Sequence, residues 1–375
     1  MGLFWRLIAP GFTGRHTALS STAFKKADTM QFNRLGRSGL NVSRLCLGTM
    51  NMGSKDWKPW IFDESESEPI IGHALNSGVN FIDLADFYSA GAGEEVVCNV
   101  LRRLAKRDEL IITTKLGYPI GGGANNGGHS RKHVFDAIDG SLTRMKSDYV
   151  DVYMLHYFDT RTPVEETMEA LNDIVRLGKA RYVGVSTMYT WQFAKILSVC
   201  DRNGWAKPIN MQLQLNCAYR EEEREMIPFC ADQGVGVSVF SPLARGLLTN
   251  DLNSVRNKTD FFTAEMYSDP ASLEIATSVA RVAASRGLTP SQVAQAWILQ
   301  KSEVASMLVG ADTQDQFNSA VSALTITLDE EEIFEIERNY TPCAPINDET
   351  AGKRTPRFAR PPMGRFAPAD IAVAG

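Results

Sequence analysis

The sequence predicts a closed (β/α)8 barrel (a TIM barrel) with two additional helices. Two observations lead there. Short apolar or β-branched runs alternate eight times with longer stretches of helical period. Several of these runs also end in a polar residue, as the catalytic ends of barrel strands do. An open doubly wound sheet is the runner-up, and it announces a nucleotide site by G-x-G-x-x-G after its first strand. No such match is present; the glycine-rich stretch GYPIGGGANNGG (117–128) follows the third strand and reads as a loop.

The predicted strands are 43–48, 80–84, 110–115, 150–155, 181–186, 210–215, 236–240 and 304–309. The second is bounded by Gly78 and opens on the apolar pair Phe81 and Ile82. Helices are predicted over 66–77, 92–105, 130–146, 164–177, 189–203, 222–233, 291–301 and 314–324. Ser130 is a plausible N-cap, followed by Val134, Ile138 and Leu142 at spacing four. In 164–177, Met168, Leu171, Ile174 and Val175 fall on one stripe. Two further helical patterns, 271–286 and 327–339, are additional to the alternation.

The ends differ from the middle. Residues 1–29 carry Arg6, Arg15, Lys25 and Lys26 against the single acid Asp28, with several Ser and Thr. They form an extension, either disordered or a mitochondrial targeting segment. A cytoplasmic location is expected unless the targeting reading holds. The domain proper spans 30–340, and residues 341–375, rich in proline and basic residues, read as a largely disordered tail.

Composition excludes several classes. With 44% hydrophobic and 22% charged residues and a net charge of -5, the chain is ordinary for a globular protein and gives no reason to expect nucleic-acid binding. Six cysteines, none in a C-x-x-C pair, argue against a disulfide framework or zinc site. No apolar run is long enough for a spanning helix. His129 and His133 stand at i, i+4, but at a helix start without carboxylates, so they are expected on the surface and no metal is predicted.

The strand ends suggest the chemistry. The second strand ends at Asp83, with Tyr88 in the following loop; the third ends at Lys115 and the fourth at His156. In a barrel these four converge on one mouth. A free tyrosine has a pKa near ~10, and a nearby ammonium lowers it. Asp83 would anchor Lys115, and His156 would orient a carbonyl oxygen. That makes Tyr88 a general acid in one direction and a base in the other. An isolated Lys, Asp or His at a strand end is more often a rim or core residue. Four on consecutive strands at the same end form a pattern.

The motifs LGRSGLNVSRLCLGTM (35–50), NFIDLADFYS (80–89), IITTK (111–115), DVYMLH (151–156), GKARYVGVST (178–187), NMQLQLN (210–216) and FSPLARGLL (240–248) resemble the aldo-keto reductases in order and spacing, over roughly 31–340. The resemblance implies a (β/α)8 barrel that binds NADP(H) across its mouth and interconverts carbonyls and alcohols. It implies a catalytic tetrad of Asp83, Tyr88, Lys115 and His156. For the cofactor it implies Ser186, Thr187 and Gln212 at the nicotinamide carboxamide, with Phe240 stacked on the ring. Ser241, Leu243 and Arg245 would hold the pyrophosphate, and Gly310, Thr313 and Gln316 the adenosine. Thr187 stands where the family often has Asn, and Asp312 is unusual near an expected 2′-phosphate.

The substrate is expected to be a small carbonyl or alcohol. Trp57, Trp60, Phe62, Phe87, Tyr157 and Phe158 are candidates for an aromatic wall. The segments DWKPW and YREEEREMIP resemble fungal or bacterial aryl-alcohol dehydrogenases and secondary-metabolite reductases. The alternative is a cofactor-sensing regulatory subunit, similar to the channel β-subunits built on the same scaffold.

Overall fold

The computed structural model describes residues 30–249 and 266–345. The predicted extension 1–29 and the tail beyond Pro345 lie outside the described residues. A short antiparallel hairpin opens the fold: β1 (Phe32–Arg34) and β2 (Asn41–Ser43). Sequence reading missed it. Each strand has only three residues, too few to show a period, and the second was merged into the first barrel strand.

The barrel follows as β3 (Leu45–Gly48), β4 (Phe81–Asp83), β5 (Ile111–Leu116), β6 (Val150–Leu155), β7 (Ala180–Ser186), β8 (Pro208–Gln214), β9 (Gly236–Phe240) and β10 (Val304–Val309). All eight are parallel, and β10 pairs with both β9 and β3, closing the sheet on itself. Every residue of β6 and β10 is buried, because a barrel strand faces the interior on one side and helices on the other. This is why the strands read as continuous apolar runs.

Helices α1 (Glu64–Asn76), α2 (Ala92–Leu104), α3 (Arg131–Met145), α4 (Val164–Arg176), α5 (Thr190–Asn203) and α6 (Met226–Gln233) alternate with the first strands. Ser130 caps α3 by accepting from His133 N–H, as its position predicts. Residues Met168, Leu171 and Ile174 of α4 are fully buried. The predicted 222–233 helix is shorter: Glu221–Glu223 form a 3-10 turn before α6 begins. Beyond β9 lie α7 (Pro270–Ser285) and α8 (Pro290–Leu299), and after β10 come α9 (Gln314–Ala323) and α10 (Glu330–Glu337). The two additional helices are α7 and α10, tied by Arg281 and Ser278 to Glu335 and by Arg286 to Glu332.

The hairpin plugs the amino-terminal end of the barrel. Leu35 and Val42 pack with Cys46, Phe81, Val152 and Met154 in an interior cluster separate from the larger core under the helices. The turn depends on Gly36, whose φ is +63°; a Cβ there would lie 2.4 Å from the Gly234 carbonyl oxygen. Closing the bottom with apolar side chains leaves the opposite end as the accessible mouth.

Candidate active site

Four elements deliver the predicted catalytic side chains to one place. Asp83 is the last residue of β4, Lys115 lies one residue before the end of β5, and His156 directly follows β6. Tyr88, five residues past Asp83, begins a 3-10 turn, and Ser89 and Ala90 after it adopt left-handed conformations. The backbone is pinned there: Asp86 N–H donates to Lys115 C=O (3.0 Å), and His156 N–H to Leu116 C=O (3.0 Å).

Lys115 organises the cluster. Its ammonium has three N–H groups. They reach Asp83 Oδ2 at 2.7 Å, the Leu84 carbonyl at 2.9 Å and the Tyr88 hydroxyl at 3.3 Å. The Lys115 and Asp83 side chains are 0% and 1% exposed. Burying an ion pair is favourable only when the remaining lone pairs and protons are satisfied. Here they are: Asp83 Oδ1 accepts from Gln212 Nε2 at 2.8 Å. Because Lys115 donates to the Tyr88 oxygen, the phenol's own proton is directed elsewhere.

The electrostatics differ from expectation in one respect. Burial raises the Tyr88 pKa, and the lowering by Lys115 only partly opposes it. The phenol therefore keeps its proton more firmly than the sequence-level pairing suggests. Burial lowers the Lys115 pKa, but Asp83 and Tyr88 outweigh it and the lysine is held above its ordinary value. Burial, with the positive charge of Lys115 nearby, holds His156 well below the usual imidazole range. His156 is thus neutral at physiological pH and can donate from one ring nitrogen. Its ring lies 6.0 Å from that of Tyr88.

The predicted cofactor residues ring the same mouth from β7 to β10. Ser186 ends β7, and its hydroxyl is 3.1 Å from that of Thr187, which has φ +47°. Gln212 is buried beneath, with its amide nitrogen committed to Asp83. Phe240 ends β9 half-buried. In the loop after it, Ser241, Ala244 and Arg245 all have positive φ. Three left-handed non-glycine residues in one short loop are uncommon, and such strain gathers at functional sites. Leu243 C=O accepts from Gly246 and Leu248 N–H, closing this loop on itself. After β10, Gly310 leads into the start of α9. There Thr313 accepts from Gln316 N–H (3.2 Å), and Gln316 Oε1 accepts from Asp312 N–H (2.7 Å). Asp312's carboxylate accepts from Asn51 Nδ2 at 2.9 Å.

Two expectations are corrected. His129 and His133 are not on the surface; both are buried. Burial lowers their pKa values, to about 4 for His129. The glycine-rich loop folds back over them, which a sequence pattern cannot show. Among the described residues, no group of three or more His, Cys, Asp or Glu is arranged to hold a metal ion. In the aromatic wall, Trp57 and Phe87 meet at 5.6 Å, whereas Phe62 packs into the core and Phe158 pairs with Trp191 at 6.0 Å. Sequence reading missed Tyr118, whose ring lies 4.8 Å from His156. The glycines around it disguised it as loop.

A mouth with a phenol, a neutral imidazole and a buried ammonium can exchange a proton with an oxygen held between them, chemistry suited to carbonyl and alcohol groups. Comparison with known proteins gives the family. The Aldo/keto reductase family matches residues 44–340, and the chain belongs to it; it is an oxidoreductase. It is 39% identical to versiconal hemiacetal acetate reductase of Aspergillus parasiticus, over 84% of this chain and 98% of that protein. It is 37% identical to a Schizosaccharomyces pombe protein provisionally named an aryl-alcohol dehydrogenase (84% and 97% covered). It is 35% identical to an aldo-keto reductase of Alternaria alternata (87% and 96%). The family generally uses a nicotinamide cofactor. No helix among the described residues is long and apolar enough to cross a membrane.

Proposed function

We propose that this chain reduces an aldehyde or ketone to the alcohol, and catalyses the reverse oxidation, with NADPH as cofactor and Tyr88 as the proton donor. The observation that carries this is the commitment of all three Lys115 donors, one of them to the Tyr88 oxygen. A bound nicotinamide would supply the hydride. Tyr88 gives its proton to the carbonyl oxygen, and Lys115 stabilises the phenolate left behind. Neutral His156 donates a hydrogen bond that orients the same oxygen. Asp83 keeps Lys115 charged and in place. In the oxidative direction the phenolate takes the proton back.

The cofactor residues fit that group. Gln212 has its amide nitrogen on Asp83, which leaves its oxygen to accept from a carboxamide N–H. Ser186 and Thr187 offer two adjacent hydroxyls, and the half-buried Phe240 offers a ring. Arg245 suits a pyrophosphate because its charge is permanent and its fork planar. A Cβ at Gly310 would meet nothing nearer than 3.9 Å, so its backbone is open to close approach. Thr313 and Gln316, exposed at the start of α9, suit the adenosine. NADPH is the preferred form by family resemblance, with the margin reduced by Asp312. The name of the aryl-alcohol relative supports a carbonyl compound with an aromatic part. The five buried, unpaired cysteines suit a reducing compartment such as the cytoplasm.

The test is Tyr88→Phe. Turnover of aldehydes with NADPH should fall on the order of a hundredfold or more. NADPH binding, followed by fluorescence, should stay near the wild-type value. Near-normal turnover would show that another group supplies the proton.

A further inference from the structure

The strained loop after β9 has a brace reaching across from the neighbouring strand. Ser241 (φ +57°), Ala244 (φ +48°) and Arg245 (φ +56°) are all left-handed. Such non-glycine conformations persist only where their surroundings over-determine them. Pro242 and Ala244 are buried, and Ser241, Leu243 and Arg245 alternate with them half-buried.

The brace is Asn216, two residues past β8 and fully buried. Its amide has two N–H groups and an acceptor oxygen. Nδ2 donates to Ser241 C=O (3.0 Å) and to the Tyr267 hydroxyl oxygen (3.0 Å), and Oδ1 accepts from Ala218 N–H (3.0 Å). The backbone beneath is fixed as well: Asn216 and Tyr219 exchange N–H···O=C bonds in both directions, at 3.0 Å each. Ser241 C=O also accepts from Ala244 N–H (3.0 Å), so the amide grips the first turn of the loop.

Tyr267 locks the brace. It lies just before α7 and is buried, and its oxygen accepts from Gln214 Nε2 (2.6 Å) as well as from Asn216. Gln214 is the last residue of β8. One phenol oxygen thus ties the end of β8, the loop after β9 and the approach to α7 together.

We propose that Asn216, locked by Tyr267, is a positioning residue for the cofactor: it presets Ser241–Arg245 in the left-handed backbone that receives the pyrophosphate. This rests on the reading of Ser241, Leu243 and Arg245 as the pyrophosphate loop. A loop free to relax out of the left-handed region is competent to bind for only part of the time, and apparent affinity falls by that fraction. Once the dinucleotide is bound, its own contacts hold the loop, so turnover at saturation suffers less.

The experiment measures the NADPH Kd by quenching of tryptophan fluorescence, alongside kcat at saturating NADPH. In Asn216→Ala the Kd should rise about tenfold, equivalent to about 1.4 kcal/mol. Tyr267→Phe keeps the ring and removes the oxygen, and should raise the Kd severalfold. In both, kcat should fall by a smaller factor than the Kd rises. Simple loss of folded enzyme does the opposite, lowering kcat and leaving the Kd unchanged. Tyr267→Phe serves if Asn216→Ala does not fold. A wild-type Kd in the folded variants, or a fall in kcat as large as the rise in Kd, would overturn the brace. Wild-type protein that does not bind NADPH would instead sink the cofactor reading beneath it.

Discussion

The two halves of the barrel mouth are built differently. From β4 to β6 the site is made of side chains, three of them buried and joined by charge: Asp83, Lys115 and Tyr88. From β7 to β10 it is made largely of backbone. Thr187, Ser241, Ala244 and Arg245 have positive φ, and Thr313 and Gln316 cap a helix at the surface. A charged cluster must satisfy itself to stay buried. A loop that cradles a large ligand instead needs particular dihedral angles and room. The first half should therefore be intolerant of any single change, and the second should tolerate side-chain changes that respect its backbone.

Lys115→Met is the harshest way to break this contrast. It leaves Asp83 buried without its cation, which should cost about 3–5 kcal/mol of stability. It also removes the group that stabilises the Tyr88 phenolate, so kcat should fall on the order of a hundredfold or more. Denaturant unfolding and steady-state kinetics read the two effects separately. A variant near wild type in both would mean the cluster is not interdependent.

Glu222 sharpens the contrast, because it is an acid in the second half with no cation paired to it among the described residues. In the run Glu221–Glu223, Glu221 pairs with Arg224, and Glu223 pairs with Arg220 and Lys301. Among the described residues Glu222 accepts only from the Tyr219 hydroxyl, at 2.9 Å, and it lines a cleft with Thr187, Met188 and Phe240. Burial pushes its pKa up to about 7. An acid raised in the folded state binds a proton that the unfolded chain has released, so its contribution falls as pH rises from about 4.5 to 7 and is level above that. Glu222→Gln should remove that loss. Relative to wild type it should gain on the order of 1–3 kcal/mol between pH 4 and pH 8. Identical pH dependence of unfolding in the two proteins would show that Glu222 is solvated.

Thr187→Asn is a smaller change in the favourable direction. A β-branched residue at φ +47° is strained, while Asn tolerates that conformation. Stability should rise by about 1 kcal/mol, with cofactor binding retained or tightened. A lower Tm would mean that the hydroxyl contact with Ser186 outweighs the strain. Asp312→Arg should have the smallest effect. An exposed charge pair is worth about 1 kcal/mol, so the NADPH:NADH ratio of kcat/KM should rise roughly fivefold. No change would show that Asn51 holds position 312 away from the phosphate.

The alternation, the barrel, the additional helices, the three polar strand ends and Tyr88 in the loop after the first of them were all legible in the sequence. Each rests on local rules: a period of two or 3.6, or a charge breaking an apolar run. Ser130 as a cap and the stripe of α4 were legible for the same reason. The three-residue hairpin under the barrel was not, because strands that short carry no period. Only the tertiary structure decided that His129 is buried, that Tyr118 joins Phe87 and Trp57, and that burial outweighs Lys115 at the Tyr88 phenol. Those depend on which loop folds over which and on how much water each group loses. Neighbours in space, not in sequence, set both quantities.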